Sequence, residues 1–97
     1  MLYEIKKQPL INGETLAYRE TGSGEKTLLL IHGNQSSSLF YEFLMQDFES
    51  SAHIIAVDMA GFGESDYKTE HMNITDWADD IALFMDSKNI NNAIVLG

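Results

Sequence analysis

Hydrophobic and polar positions change rhythm along this chain, and each rhythm predicts a different kind of element. Near the start, Tyr3, Ile5 and Lys7 alternate with Leu2, Glu4 and Lys6, a period of two that suits a half-exposed edge strand. A second alternating run sets Leu16 and Tyr18 on one face and Ala17 and Arg19 on the other. Asn12-Gly13 lies between the two runs and is a strong hairpin signal, because a type I′ turn needs positive φ at both central residues. An antiparallel hairpin is expected, ended by the turn residues Gly22-Ser23-Gly24.

Alternation then gives way to continuous apolar runs at Thr27-Leu28-Leu29-Leu30-Ile31, Ile54-Ile55-Ala56-Val57 and Ala93-Ile94-Val95-Leu96. Such runs are expected of parallel strands covered on both faces. Helical spacing fills the gaps between them. Phe40, Phe43, Leu44 and Phe48 follow the serines Ser36, Ser37 and Ser38, any of which can cap a helix start. Ile74, Trp77, Ala78, Ile81, Phe84 and Met85 keep i, i+3, i+4, i+7 spacing behind Asn73 as N-cap. Asp76, Asp79 and Asp80 suit the start of that helix and Lys88 its end. The pattern predicts strands near 2–7, 14–20, 27–31, 54–58 and 93–96, and helices near 37–49 and 73–87. It predicts a first pair that is antiparallel and a remainder that is mainly parallel. No repeat, low-complexity stretch or linker interrupts the series.

Composition narrows the function classes. A length of 97 residues allows one small domain, which buries only roughly 60–65% of its unfolded surface. Cysteine is absent, so disulfides, thiolate metal sites and a cysteine nucleophile are excluded within these residues. That absence suits a reducing, cytoplasmic setting. The start Met1-Leu2-Tyr3-Glu4 lacks the basic flank and apolar core of a signal peptide. No apolar run reaches the roughly 18 residues of a bilayer span. A net charge of −9 argues against nucleic acid or an anionic membrane surface as partner.

In open α/β sheets, ligands bind at the carboxyl ends of parallel strands. The first such end carries His32-Gly33-Asn34-Gln35, and the second carries Asp58-Met59-Ala60-Gly61-Phe62-Gly63-Glu64-Ser65-Asp66. The third ends at Gly97. Gly61-Phe62-Gly63 lacks the third glycine of a dinucleotide fingerprint, and no Gly-Lys-Ser/Thr phosphate loop is present. No cofactor is expected. His32, His53 and His71 show no H-x-x-x-H spacing, so no metal site is expected.

These turns carry a resemblance. "LLLIHGN", "IIAVDMAGFGESD" and "NNAIVLG" are similar, in order and separation, to the N-terminal part of the α/β-hydrolase superfamily, over nearly the whole chain. The resemblance implies an α/β-hydrolase-like three-layer sandwich, N-terminal half only, with an antiparallel hairpin followed by parallel strands. In that family the 54–58 strand sits between the hairpin and the 27–31 strand. A flavodoxin-like domain is the rival fold, but an Asn-Gly hairpin is foreign to a purely parallel doubly wound sheet.

The resemblance also implies roles for particular residues. Asn34 takes the position whose backbone N–H helps form an oxyanion hole, with Gly33, Gln35 and Phe62 as substrate contacts. Charge builds on a carbonyl oxygen under attack, and preorganised N–H donors at about 3 Å stabilise it. An HGN loop resembles that of haloalkane dehalogenases, where the amide side chain helps hold the departing halide. It equally resembles that of esterase-like and acyl-homoserine-lactone-hydrolysing members. The catalytic histidine of the family comes from a late loop, so His32 reads as a loop-ordering residue. His53 and His71 read as bland. Asp58 reads as an acceptor for the turn that follows it, and Phe40 and Trp77 as core residues.

Gly97 coincides with the first glycine of the family's G-x-S-x-G elbow. Residues 1–97 are therefore expected to be the N-terminal portion of one α/β-hydrolase domain, cut before its nucleophile and inert alone. They are also expected to need the missing C-terminal half to fold. For the parent the expectation is hydrolysis of a small carboxylic ester, thioester or lactone by a serine nucleophile. An aspartate nucleophile, for halide or epoxide chemistry, and a non-catalytic binding protein on the same fold are the alternatives.

Overall fold

The computed structural model describes residues 2–33, 36–67, 71 and 73–97. Its strands are β1 (Lys6–Pro9), β2 (Thr15–Thr21), β3 (Thr27–Ile31), β4 (His53–Val57) and β5 (Ile94–Leu96). A single 3-10 turn, Ser38–Tyr41, leads into helix α1 (Glu42–Phe48), and helix α2 spans Ile74–Ser87. The strands form one sheet in the order β1-β2-β4-β3-β5. β1 with β2 and β2 with β4 are antiparallel, whereas β3 runs parallel to both β4 and β5. The strand from the 54–58 region thus lies between the hairpin and β3, as the sequence resemblance implies.

Three layers result. On one face of the sheet, Leu30, Ile54 and Ala56 pack against Tyr41 and Met45 from the α1 side. On the other, Leu16, Tyr18, Leu29, Ile55 and Val57 pack against Phe84 of α2, with Trp77 and Ile81 partly buried beside them. Successive residues of β3 and β4 point to opposite layers, which is why their sequences are apolar without alternation. α2 begins with a capping box: Asn73 Oδ1 accepts from the Thr75 N–H at 2.9 Å, and Asp76 Oδ2 accepts from the Asn73 N–H at 3.2 Å.

Several sequence expectations are corrected. β1 starts at Lys6 rather than near residue 2. Leu2 and Tyr3 instead donate their N–H groups to Glu42 Oε2, at 2.9 and 2.8 Å. The hairpin is not closed by a two-residue type I′ turn. Pro9 pairs with Thr15, and of Asn12-Gly13 only Gly13 has positive φ, at 93°. Asn12 closes the longer loop through its side chain, Oδ1 accepting from the Glu14 N–H at 3.0 Å. The 3-10 turn also shifts the phase of the first helix, so Tyr41 and Met45 face the sheet while Phe40 and Phe43 are 74% and 76% exposed. Phe40 is therefore not a core residue. Ile94, Val95 and Leu96, expected to be covered on both faces, are half exposed, because β5 is the edge strand and pairs only with β3.

Candidate functional site

The carboxyl ends of β3 and β4 adjoin, and the loops leaving them are tied together by their own polar groups. His32 is buried. Its Nε2 accepts from the Met59 N–H at 2.9 Å, so the ring proton sits on Nδ1 and donates to the Gly33 carbonyl at 2.7 Å. Both ring nitrogens are committed to backbone groups, which makes His32 a brace between the loops and leaves it no capacity as a general base. The Phe62 ring meets the imidazole edge-on at 5.4 Å.

Asp58 is the second tie. It ends β4, is 1% exposed, and faces both loops. Oδ1 accepts from the Ser38 N–H at 2.6 Å and Oδ2 from the Glu64 N–H at 2.9 Å. Its carbonyl accepts from Ser65 Oγ at 2.6 Å, and that hydroxyl in turn accepts from the Ala17 N–H at 2.8 Å. The carboxylate fits because Gly63 has no side chain: a Cβ there would lie 2.3 Å from Asp58 Oδ2, at a φ of +53°.

Behind Ser38 lies a buried ion pair. Arg19 of β2 donates from Nε to Glu42 Oε2 at 3.3 Å and from Nη1 to Ser38 Oγ at 3.1 Å. Both partners are nearly sealed from solvent, with side chains 5% and 6% exposed. Burial alone would push the Glu42 carboxyl up. The N–H groups of Leu2 and Tyr3, with the Arg19 guanidinium, outweigh it and hold the carboxyl below its ordinary value. A carboxyl depressed in the fold adds stability that is complete above its unfolded value, about 4.3, and is lost as pH falls through the folded one. Urea midpoints should therefore drop more between about pH 5 and pH 3 in the wild type than in Glu42→Gln. Equal pH slopes would show that Glu42 contributes nothing to acid sensitivity.

An open cavity of about 230 Å³ lies above these ties, lined by His32, Gly33, Met59, Phe62, Ile74 and Trp77. A second hollow of about 280 Å³ shares Met59, Ile74 and Trp77 with it. Gly33 and Phe62, both singled out from sequence, thus meet at one cavity. Asn34 and Gln35 lie outside the described residues. Trp77 is only partly buried and lines the cavity, while its Nε1 donates to the Ala60 carbonyl at 3.1 Å.

Sequence reasoning missed Met59, Ile74 and Trp77 as lining, and it also missed the surroundings of His71. That histidine is no bland loop residue. Its Nε2 lies 2.6 Å from Asp80 Oδ2, both side chains are buried, and its ring meets Trp77 at a tilt of 52° with centroids 4.6 Å apart. Asn12 Nδ2 donates to the other Asp80 oxygen at 3.1 Å. The one sequence hint was an aspartate at i+3 from Trp77, on the helix face otherwise given to the apolar stripe. Among the described residues no group of three or more His, Cys, Asp or Glu side chains can hold a metal. No helix among them is long and apolar enough to cross a membrane.

Comparison with known proteins gives a consistent picture. A family model described as "alpha/beta hydrolase fold" matches residues 26–97. A 2-(acetamidomethylene)succinate hydrolase of Mesorhizobium japonicum is 39% identical over 93 residues, 96% of this chain and 33% of that protein. A haloalkane dehalogenase of Bradyrhizobium diazoefficiens is 40% identical over 63 residues, 64% of this chain and 20% of that one. The crystal structure of a haloalkane dehalogenase from Bradyrhizobium elkani superposes with a TM-score of 0.85 at 30% identity, covering 95% of this chain and 32% of the other. The chain thus spans between a fifth and a third of the length of these relatives.

Proposed function

Because the chain belongs to the α/β-hydrolase family, we propose that it is the N-terminal portion of a hydrolase acting on a small carboxylic ester, thioester or lactone. In this reading the nucleophile is a serine two residues past Gly97, and the catalytic histidine and acid follow later. The Asn34 backbone N–H is one oxyanion donor, and the residue after the nucleophile supplies the other. Gly33 lets the backbone approach the substrate, while Gln35 and Phe62 contact it. The serine oxygen bonds to the carbonyl carbon as its proton passes to the histidine. The histidine then protonates the leaving group, and water releases the acid from the acyl-enzyme.

The observation that carries this reading is the junction of the His32-Gly33 and Asp58–Ser65 loops at one end of the sheet, beside an apolar cavity. Residues 1–97 alone are inactive in this reading, need the remainder of the domain to fold, and operate in the cytoplasm.

A second reading is favoured by the dehalogenase relatives. There an aspartate replaces the serine, attacks a carbon bearing halogen, and the Asn34 amide holds the departing halide. The full-length protein assayed with p-nitrophenyl acetate and with 1-bromobutane decides between the two. Nitrophenol release abolished by changing the serine supports the first reading. Bromide release abolished by changing an aspartate at that position supports the second. Turnover of neither overturns both and leaves a non-catalytic binding protein on this fold.

A further inference from the structure

We propose that the part of the substrate lying on the cavity beside His32 and Trp77 is an uncharged, apolar acyl or alkyl chain, and that a carboxylate is rejected there. This inference rests on the hydrolase reading above and names the substrate class within it. The cavity opens at the carboxyl ends of β3 and β4, where α/β sheets bind ligands, and Ile74 on its wall is 83% exposed.

Its walls have few polar groups to offer. The lining side chains carry three ring nitrogens, two on His32 and one on Trp77, and each is committed within the protein. His32 Nε2 accepts from the Met59 N–H, His32 Nδ1 donates to the Gly33 carbonyl, and Trp77 Nε1 donates to the Ala60 carbonyl. Backbone groups of the lining are engaged as well. The Met59 carbonyl accepts from the Phe62 N–H at 2.9 Å, and the Phe62 carbonyl from the Ser65 N–H at 3.0 Å. What the side chains leave for a ligand is carbon and sulfur, from Met59, Phe62, Ile74 and the two rings.

Charge points the same way. Among the described residues no lysine or arginine lines the cavity. Arg19 is paired with Glu42, Lys6 and Lys88 gather on Glu20, and Lys26 lies at the amino-terminal end of β3. The charge built into the junction below is the Asp58 carboxylate, which repels an anion. A carboxylate leaving water for these side chains meets neither a counter-charge nor a free donor, and burying a charge unpaired is strongly disfavoured. A methyl-branched chain of the same shape gains instead, because apolar surface leaves water on both sides.

The hydrolase relative from Mesorhizobium japonicum is named for a succinate, so a succinate monoester is the discriminating probe. Full-length protein is assayed for acid release from methyl 4-methylpentanoate and from monomethyl succinate, whose acyl groups match in shape and differ in charge. The matched bromides are 1-bromo-4-methylpentane and 4-bromobutanoate, read by bromide release above the uncatalysed rate. Within the pair that is turned over, kcat/KM should favour the neutral member by about 10²-fold or more. Ile74→Arg should narrow that ratio at least about tenfold, because it supplies a charge-assisted partner for the carboxylate. Ile74→Met, a swap of one apolar side chain for another of similar volume, should leave the ratio within about threefold.

A wild-type ratio near one, or a preference for the anion, overturns the proposal. So does a large ratio that Ile74→Arg leaves unchanged, because selection is then made elsewhere. If Ile74→Arg does not fold, Phe62→Arg is read in the same way. Turnover of p-nitrophenyl acetate or 1-bromobutane without this selection overturns the present inference alone, whereas turnover of neither overturns the hydrolase reading itself.

Discussion

Replacing Asn34 by proline in the full-length protein should, in the proposed serine-hydrolase reading, lower kcat for p-nitrophenyl acetate by about 10²- to 10³-fold, the usual loss for one oxyanion donor. Proline has no backbone N–H, so this substitution deletes the proposed donor whatever the side chain contributes. Asn34→Ala keeps that N–H, and in the serine reading it should stay within a few-fold of wild type. In the dehalogenase reading the side-chain amide matters as well, so Asn34→Ala should sharply reduce bromide release from 1-bromobutane. Steady-state rates of both variants on both substrates separate the roles. Wild-type rates in both would leave Asn34 an ordinary turn residue.

Asp58→Ala should cost about 3–5 kcal/mol of unfolding free energy, a large share of the roughly 5–15 kcal/mol that a domain has. Two N–H groups, from Ser38 and Glu64, lose a buried charged acceptor. Each donor left unsatisfied in the interior costs about 1–3 kcal/mol. Gly63→Ala should be destabilising by another route. Its Cβ would overlap the Asp58 carboxylate at 2.3 Å, at a positive φ that disfavours any side chain. Urea unfolding of wild type, Asp58→Ala, Asp58→Asn and Gly63→Ala measures these costs, with Asp58→Asn intermediate because it keeps one acceptor oxygen. An Asp58→Ala variant within about 1 kcal/mol of wild type would mean that water replaces the carboxylate, and that this hub holds neither loop.

What the sequence reveals follows the range of the interactions involved. Leu28–Ile31 and Ile54–Val57 were legible as central strands because burial on both faces leaves a local signature, an apolar run without alternation. The Asn73 cap and the stripe of α2 were legible for the same reason. Interactions that join distant segments leave no such trace. Nothing near Leu2 or Tyr3 announces that Glu42 will take their N–H groups and draw them out of the first strand. Phe40 and Phe43 suit an apolar stripe until the 3-10 turn, held by Ser38 on Asp58, resets the helix phase. At the candidate site the two loops could be located from their motifs. Their mutual bracing through His32 and Asp58 depends on β3 and β4 being neighbours, and the buried contact between His71 and Asp80 joins residues nine apart in no helical or strand register.

The strand order has a consequence for how the chain acquires its fold. β3 is synthesised directly after β2, yet the two are never neighbours, because β4 lies between them. Only the hairpin of β1 and β2 joins strands close in sequence. Every other pairing closes a long loop, Tyr18 with Val57, Leu28 with Ile54 and Leu28 with Ile94. Long closures must be formed before their contacts repay the lost chain entropy, and they slow folding. β4 is thus the strand whose arrival turns separate pieces into a sheet, joining an antiparallel partner on one side to a parallel one on the other. During synthesis, a chain whose residue 57 has not yet left the ribosome holds a hairpin and an apolar strand with no place to dock. The passage from that state to a continuous sheet is carried by five residues, His53–Val57.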